Sequence, residues 1–191
     1  MSWVVVGASG MLGSDLVPLA RARGHEVTTV GRGDLDLSDP AAVAEAVAGA
    51  QVVVNCAAYT AVDAAQDHEQ EAFDANAVLA AHLARAAALT GARMVQVSTD
   101  YVFDGEAAVA YPEDSPLRPR SAYGRTKAAG EWAVRALAPD HLVVRTAWLY
   151  GAGGPCFPRT IARVVAERGG AEVVDDQIGQ PTWTVDLADL V

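Results

Sequence analysis

The sequence predicts an α/β fold: a doubly wound, Rossmann-like parallel sheet with helices on both faces, followed by the start of a smaller C-terminal domain. Three observations carry this. Short, continuously apolar runs alternate with longer Ala-rich stretches, as parallel strands buried on both faces and joined by helical crossovers do. A glycine-punctuated turn, "VVVGASGMLG", follows the first apolar run and opens the first helical stretch. The chain has 191 residues, 51% of them hydrophobic, which suits one domain, or one domain and part of another, with a real core.

The strand-like runs are "WVVVG" (3–7), "EVTTVG" (26–31), "VVVNCA" (52–57), "RMVQVST" (93–99), "HLVVRTA" (141–147) and "AEVVDD" (171–176). Helices are expected to begin near Met11, Pro40, Glu69, Ala122 and Pro158. Met11 follows the glycine turn, and Pro40 suits a first helical position with Ser38 or Asp39 as its cap. The helix from Ala122 should end near Leu137, with Pro139 just beyond. Crossovers in such sheets are right-handed, and ligands bind beyond the carboxyl ends of the strands, where the strand order reverses. The segments to search are therefore 7–13, 31–37, 56–63, 98–105, 146–151 and 175–182. Residues 104–121 form a long Pro-bearing loop of the kind that shapes binding sites. The sequence reaches Val191 inside what reads as a helix, so the expected division is a nucleotide-binding domain over 1–150 and an unfinished second region over 151–191.

A formal charge of −10 argues against non-specific nucleic-acid binding, which needs a basic footprint. Cys56 and Cys156 have neither metal spacing nor a paired framework, and the four histidines are scattered, so no catalytic metal is expected. With no basic leader and no apolar run near the ~18 residues of a membrane span, the expected location is the cytoplasm, away from membranes.

Gly7, Gly10 and Gly13 stand in a G-x-x-G-x-x-G arrangement between strand and helix. Glycine lets the backbone approach a pyrophosphate, whose charge rests on the helix N-terminus at Met11 and Leu12. The alternative is a turn that needs glycine only for close packing. Near the end of the second strand stands Arg32, where a cation would attract a ribose 2′-phosphate. NADPH is therefore preferred and NADH possible; Asp34 lies close by, and Arg32 can also be read as a solvated surface charge. Asp36 and Leu37 are placed for the adenine amino group and ring face.

The chain has thirteen arginines and one lysine, Lys127, in "SAYGRTK". Tyr123 and Lys127 are four residues apart, on one helical face. Thr99, at the end of the preceding buried strand, can face that pair across the crevice. The trio suits hydride transfer to a carbonyl: the oxygen gains charge and takes a proton from Tyr123, Thr99 orients it, and Lys127 is expected to lower the phenol's pKa. Alone, Y-x-x-x-K can equally be an exposed tyrosine and lysine.

With these motifs in place the chain resembles the extended short-chain dehydrogenase/reductase family. Its "VVNCAAYTAVDAAQ", "STDYVFDG", "YGRTKAAGE", "VVRTAWLYG" and "DDQIGQPT" look most like the dTDP-4-dehydrorhamnose reductase branch, over essentially the whole chain. The resemblance implies NAD(P)H-dependent reduction of the C4 ketone of a dTDP-sugar by a monomer or homodimer, with Thr99, Tyr123 and Lys127 catalytic. It implies that Ala57, Ala58 and Tyr59 line the cofactor together with Tyr123 and Lys127. Val62, Asp63, Asp100, Trp148, Gln177, Pro181 and Thr182 would approach the sugar nucleotide. Asn76 matches a helix position that supports the lysine through water, or is an ordinary polar residue. Tyr101 stands where related 4,6-dehydratases carry an acid, which favours simple reduction. Cys56 replaces a usual alanine, and Asp15 stands where some relatives hold Mg²⁺ with a Glu. The resemblance leaves two other readings: a reductase of a related dTDP-4-keto-6-deoxy sugar, and a non-catalytic NADP-binding regulatory subunit.

Overall fold

The computed structural model describes residues 1–31, 33–34, 36, 39–137 and 140–191. Five parallel strands form its main sheet: β1 (Ser2–Val6), β2 (Glu26–Val30), β3 (Val52–Asn55), β4 (Arg93–Thr99) and β5 (Leu142–Thr146), in the order β2-β1-β3-β4-β5. The order reverses between β1 and β3, which opens a crevice at the carboxyl ends of those strands.

Among the described residues the α-helices are α1 (Met11–Ala22), α2 (Pro40–Ala46), α3 (Glu69–Phe73), α4 (Leu79–Thr90), α5 (Ala122–Leu137), α6 (Phe157–Arg168) and α7 (Thr184–Leu190). On one face Val4, Val6, Val53 and Met94 meet Val43 of α2, Leu79 and Leu83 of α4 and Val134 of α5. On the other, Val5, Val54 and Val95 meet Leu12 and Leu16 of α1 and Leu187 of α7. Alternate valines of β1 and of β3 thus feed opposite cores, which is why those strands read as continuous apolar runs. Asp39 caps α2 by accepting from the Ala41 N–H at 2.8 Å, with Pro40 in the first turn, one of the two caps the sequence offered. No helix among the described residues is long and apolar enough to cross a membrane.

Two features depart from the sequence reading. The run 171–176, expected as a sixth strand, is irregular. Its Val173 and Val174 are 51% and 65% exposed, and β-branched residues favour a strand only where a neighbour and a packed face exist. The short parallel pair there is instead β6 (Leu149–Tyr150) with β7 (Thr182–Trp183), registered Leu149 to Thr182 and Tyr150 to Trp183. The second departure lies between α3 and α4, where Asp74–Val78 form a π-type turn within one continuous helical run. Such turns mark functional sites. Gly130 of α5 packs against this one, and a Cβ there would lie 2.3 Å from the Asn76 carbonyl oxygen.

Candidate active site

The glycine turn carries both of its sequence readings, at different glycines. Gly7 adopts φ +79°, and a Cβ on it would lie 2.6 Å from the Ala57 nitrogen, so the turn presses against the segment leaving β3. A Cβ on Gly13 would lie 2.5 Å from the Gly7 oxygen, so α1 presses on the turn. Gly10 is exposed and serves as the N-cap of α1, where no side chain caps the helix. Met11 and Leu12 follow it, with first-turn N–H groups that no i−4 carbonyl satisfies. A long helix with an uncapped N-terminus at the reversal point fits a dinucleotide pyrophosphate. Behind the turn, Ala57, Ala58 and Tyr59 are held by two buried amides. Asn55 accepts from the Ala57 N–H at 3.1 Å. Asn76 accepts from the Tyr59 N–H at 2.9 Å and donates to the Tyr59 carbonyl at 3.2 Å. Its Nδ2 also reaches Thr126 Oγ1 at 2.9 Å, so the π-type turn aims Asn76 at Tyr59 and α5. Asp36 lies exposed between β2 and α2, and its carbonyl accepts from the Asp39 N–H at 3.2 Å. Arg32 and Leu37 fall outside the described residues.

Beside this turn, β4 ends in Thr99, and α5 opens with Tyr123 and Lys127 on its inner face. Both are buried, Tyr123 with 9% and Lys127 with 4% of its surface exposed, so the exposed-pair reading is overturned. The Thr99 hydroxyl lies close enough to the Tyr123 phenol to act on its pKa. Thr99 also donates to Asp100 at 3.0 Å and accepts from the Tyr101 N–H at 3.2 Å. The Tyr101 ring meets Tyr123 edge-on, centroids 5.6 Å apart, and Asp63 and Asp100 lie near enough to raise the Tyr101 pKa beyond what burial does. Val62 packs with Tyr59 against Ala65, Ala72, Ala122 and Tyr123.

The electrostatics correct one expectation. Lys127 does not lower the Tyr123 pKa here. Burial pushes the phenol up to about 12, the nearby Thr99 hydroxyl opposes this, and Asp100 and Tyr101 add to the rise. The ammonium instead donates to the Val97 carbonyl at 2.7 Å. Burial brings Lys127 down to about 8, with the Glu131 carboxylate pulling it back up. Cys56, at the foot of the crevice, is pushed by burial up to about 12, so its thiol stays neutral and unreactive. A phenol that remains protonated serves reduction, because an alkoxide is a stronger base than a phenolate and takes the proton downhill.

A second group forms just past β5, whose Thr146 pairs with Thr99. Trp148 adopts φ +47°, a strained backbone for a bulky residue. A Cβ on Gly179 would lie 2.4 Å from the Trp148 indole, and the Thr182 N–H reaches the Trp148 carbonyl at 3.3 Å. Trp148 thus sits against the segment that holds Gln177, Pro181 and Thr182; Gln177 and Pro181 are exposed. Asp15, a lone carboxylate in the sequence, accepts from the Thr184 hydroxyl at 2.5 Å and ties α1 to α7.

Sequence reasoning missed Glu131, Arg145 and Ser98. Glu131 is fully buried, accepting from Ser98 Oγ at 2.6 Å and from Arg145 at 2.9 and 2.7 Å. One signal was present: Tyr123, Lys127 and Glu131 continue a spacing of four along one face of α5.

The family model described as the RmlD substrate binding domain matches residues 1–191. A dTDP-4-dehydrorhamnose reductase of Streptomyces griseus is 54% identical over 98% of this chain and 62% of its own length. A probable dTDP-4,6-dihydroxy-2-methyloxan-3-one 4-ketoreductase of Streptomyces antibioticus is 47% identical over 100% of this chain and 66% of its own. The crystal structure of the Bacillus anthracis dTDP-4-dehydrorhamnose reductase in complex with NADP superposes with TM-score 0.94 at 36% identity, covering 99% of this chain and 68% of that one. The chain thus spans a little under two-thirds of the length of the two Streptomyces relatives.

Proposed function

The chain belongs to the RmlD substrate binding domain family, and from that premise we propose that it reduces the C4 ketone of dTDP-4-dehydro-L-rhamnose to give dTDP-L-rhamnose, with NADPH as preferred donor and NADH as a possible one. The observation that carries the reading is the buried trio: Thr99 beside Tyr123, with the chain's one lysine a helical turn along the same face. In this reading residues 1–150 bind the cofactor, and 151–191 begin the region that meets the sugar nucleotide.

When bound, the nicotinamide cofactor supplies the hydride. Met11 and Leu12, at the uncapped start of α1, would hold its pyrophosphate together with the glycine turn and Ala57, Ala58 and Tyr59, and Asp36, Leu37 and Arg32 would take the adenosine end. Thr99 orients the ketone through its hydroxyl. As the carbonyl π pair moves onto oxygen, Tyr123 transfers its phenolic proton there, and the product leaves with new C–H and O–H bonds. Tyr123 then recovers a proton from solvent. The Lys127 ammonium keeps positive charge beside the crevice while the phenolate exists. Val62, Asp63, Asp100, Trp148, Gln177, Pro181 and Thr182 face the sugar nucleotide. The protein works away from membranes and nucleic acid, in the cytoplasm, as a monomer or homodimer.

A second reading, reduction of a related dTDP-4-keto-6-deoxy sugar, gains support from the Streptomyces antibioticus relative at 47% identity. The regulatory-subunit reading is disfavoured, since Tyr123 and Lys127 are buried together with their partners in place. The test is nicotinamide oxidation with NADPH and with NADH across a panel of dTDP-4-keto sugars, with product configuration assigned at C4. Formation of dTDP-L-rhamnose supports the first reading, and turnover of another keto sugar alone selects the second. NADPH binding without turnover of any keto sugar would sink both.

A further inference from the structure

Glu131 has no place in the proton and hydride steps, yet it is the carboxylate most deeply built into the site. Its side chain is wholly buried. Oε1 accepts from Ser98 Oγ at 2.6 Å and Arg145 Nε at 2.9 Å, Oε2 accepts from Arg145 Nη2 at 2.7 Å, and Arg135 approaches to 3.5 Å. A buried ion pair is poor evidence of a gain in stability, because apolar residues of equal volume hold a fold as well. The geometry suggests what this one does. Two successive residues at the end of β4 are tied to one face of α5, the Val97 carbonyl to Lys127 and the Ser98 hydroxyl to Glu131, and the next, Thr99, lies beside Tyr123. Arg145 extends the clamp outward. It donates to the Glu113 carbonyl at 2.9 Å, and its guanidinium lies 4.9 Å from the Phe103 ring centroid, so the loop 104–121 is braced against the same carboxylate.

We propose that Glu131 is a positioning residue for the Tyr123–Lys127 pair: through Ser98 and Arg145 it fixes the strand end that holds the ammonium, and it stands as a counter-charge one helical turn further along the same face of α5. The proposal deepens the reductase reading and rests on it for the role of Lys127. The ionisable neighbours that act on Lys127 are Glu131 on α5 and Cys56 beyond β3. Cys56 is held neutral by burial, which leaves Glu131 as the anion of the two. Arg145 of β5 and Arg135 of α5 face Glu131 from its other side. Asp100 and Tyr101 face Tyr123.

The test uses the fact that Lys127 is the chain's one lysine. Lysine labelled with ¹⁵N gives one Nζ resonance, whose pH midpoint is read without substrate. In E131Q that midpoint should fall by about one pH unit or more, the usual effect of removing an adjacent opposite charge. The E131Q/R145Q double variant, which leaves no unpaired buried charge, should show the same fall. With keto sugar and NADPH, kcat should drop while KM stays within about twofold, and the basic limb of the kcat profile should move to lower pH with the resonance. A midpoint unchanged in either folded variant overturns the proposal. Unfolding of both variants overturns it too, since the pair would then be a determinant of the fold alone. A parent chain that reduces no keto sugar, while its lysine midpoint still moves in E131Q, refutes the reaction and leaves the clamp standing.

Discussion

Replacing Lys127 with methionine should stabilise the folded chain while abolishing its chemistry. Burial lowers the Lys127 pKa from 10.5 to about 8. At 1.36 kcal/mol per unit, that difference of about 2.5 units makes the charged side chain about 3 kcal/mol unfavourable in the fold at pH 7. Methionine leaves the Val97 carbonyl without its donor, which gives back about 1 kcal/mol. The net gain of about 2 kcal/mol corresponds to roughly 4–8 °C in Tm for a chain of this size. The sign of the pH dependence follows from the lowered pKa. Below pH 8 lysine is charged in both folded and unfolded chains, and the penalty is complete. Between about 8 and 10.5 the folded chain sheds the proton first, so the parent gains on the variant as pH rises. Thermal melts of parent and K127M followed by circular dichroism at pH 7 and pH 10 test this. A K127M chain that melts below the parent at pH 7, or a gap of equal size at both pH values, would refute the reasoning. K127R cannot shed its proton and should be less stable than the parent at both.

Y123F should retain NADPH binding by fluorescence and lose keto-sugar reduction by roughly 10²–10⁴-fold, the usual worth of a general acid; turnover within tenfold of the parent would remove Tyr123 from that role. The kcat of the parent should decline above about pH 8 as Lys127 loses its proton, a limb absent if the ammonium takes no part. G130A places a methyl group 2.3 Å from the Asn76 carbonyl oxygen and should cost about 1–3 kcal/mol by denaturant melt, and an unchanged midpoint would show that α5 shifts freely.

What the sequence disclosed followed from periodicity and from local chemistry. Strands β1, β3 and β4 carry apolar residues on both faces, so their runs were visible, and the glycine turn and the Asp39–Pro40 cap are local signals. Tyr123 and Lys127 were found because four residues along a helix is a spacing that sequence displays. Glu131 was not, although it follows by four more, because a glutamate in "KAAGEW" also reads as a surface partner for Lys127 or Arg135. Its bidentate partner, Arg145, lies on β5, out of reach of any helical spacing rule, while Arg135 pairs with it more loosely. The run 171–176 failed in the opposite direction: its valines favour a strand, but nothing paired with them and no face was packed. Tyr123 was judged from reference pKa values and a neighbour in sequence, while in the fold burial is the largest influence on it.

The burial of Lys127 has a consequence for covalent chemistry. Amine-directed acylating reagents and enzymes that modify lysine see a folded chain whose single side-chain amine is sealed beneath β4, with 4% of its surface exposed. Apart from the α-amino group, this chain offers them a target only when α5 lifts from the sheet. The residue that the proposed reaction depends on is thereby shielded from adduct formation for as long as the site is assembled.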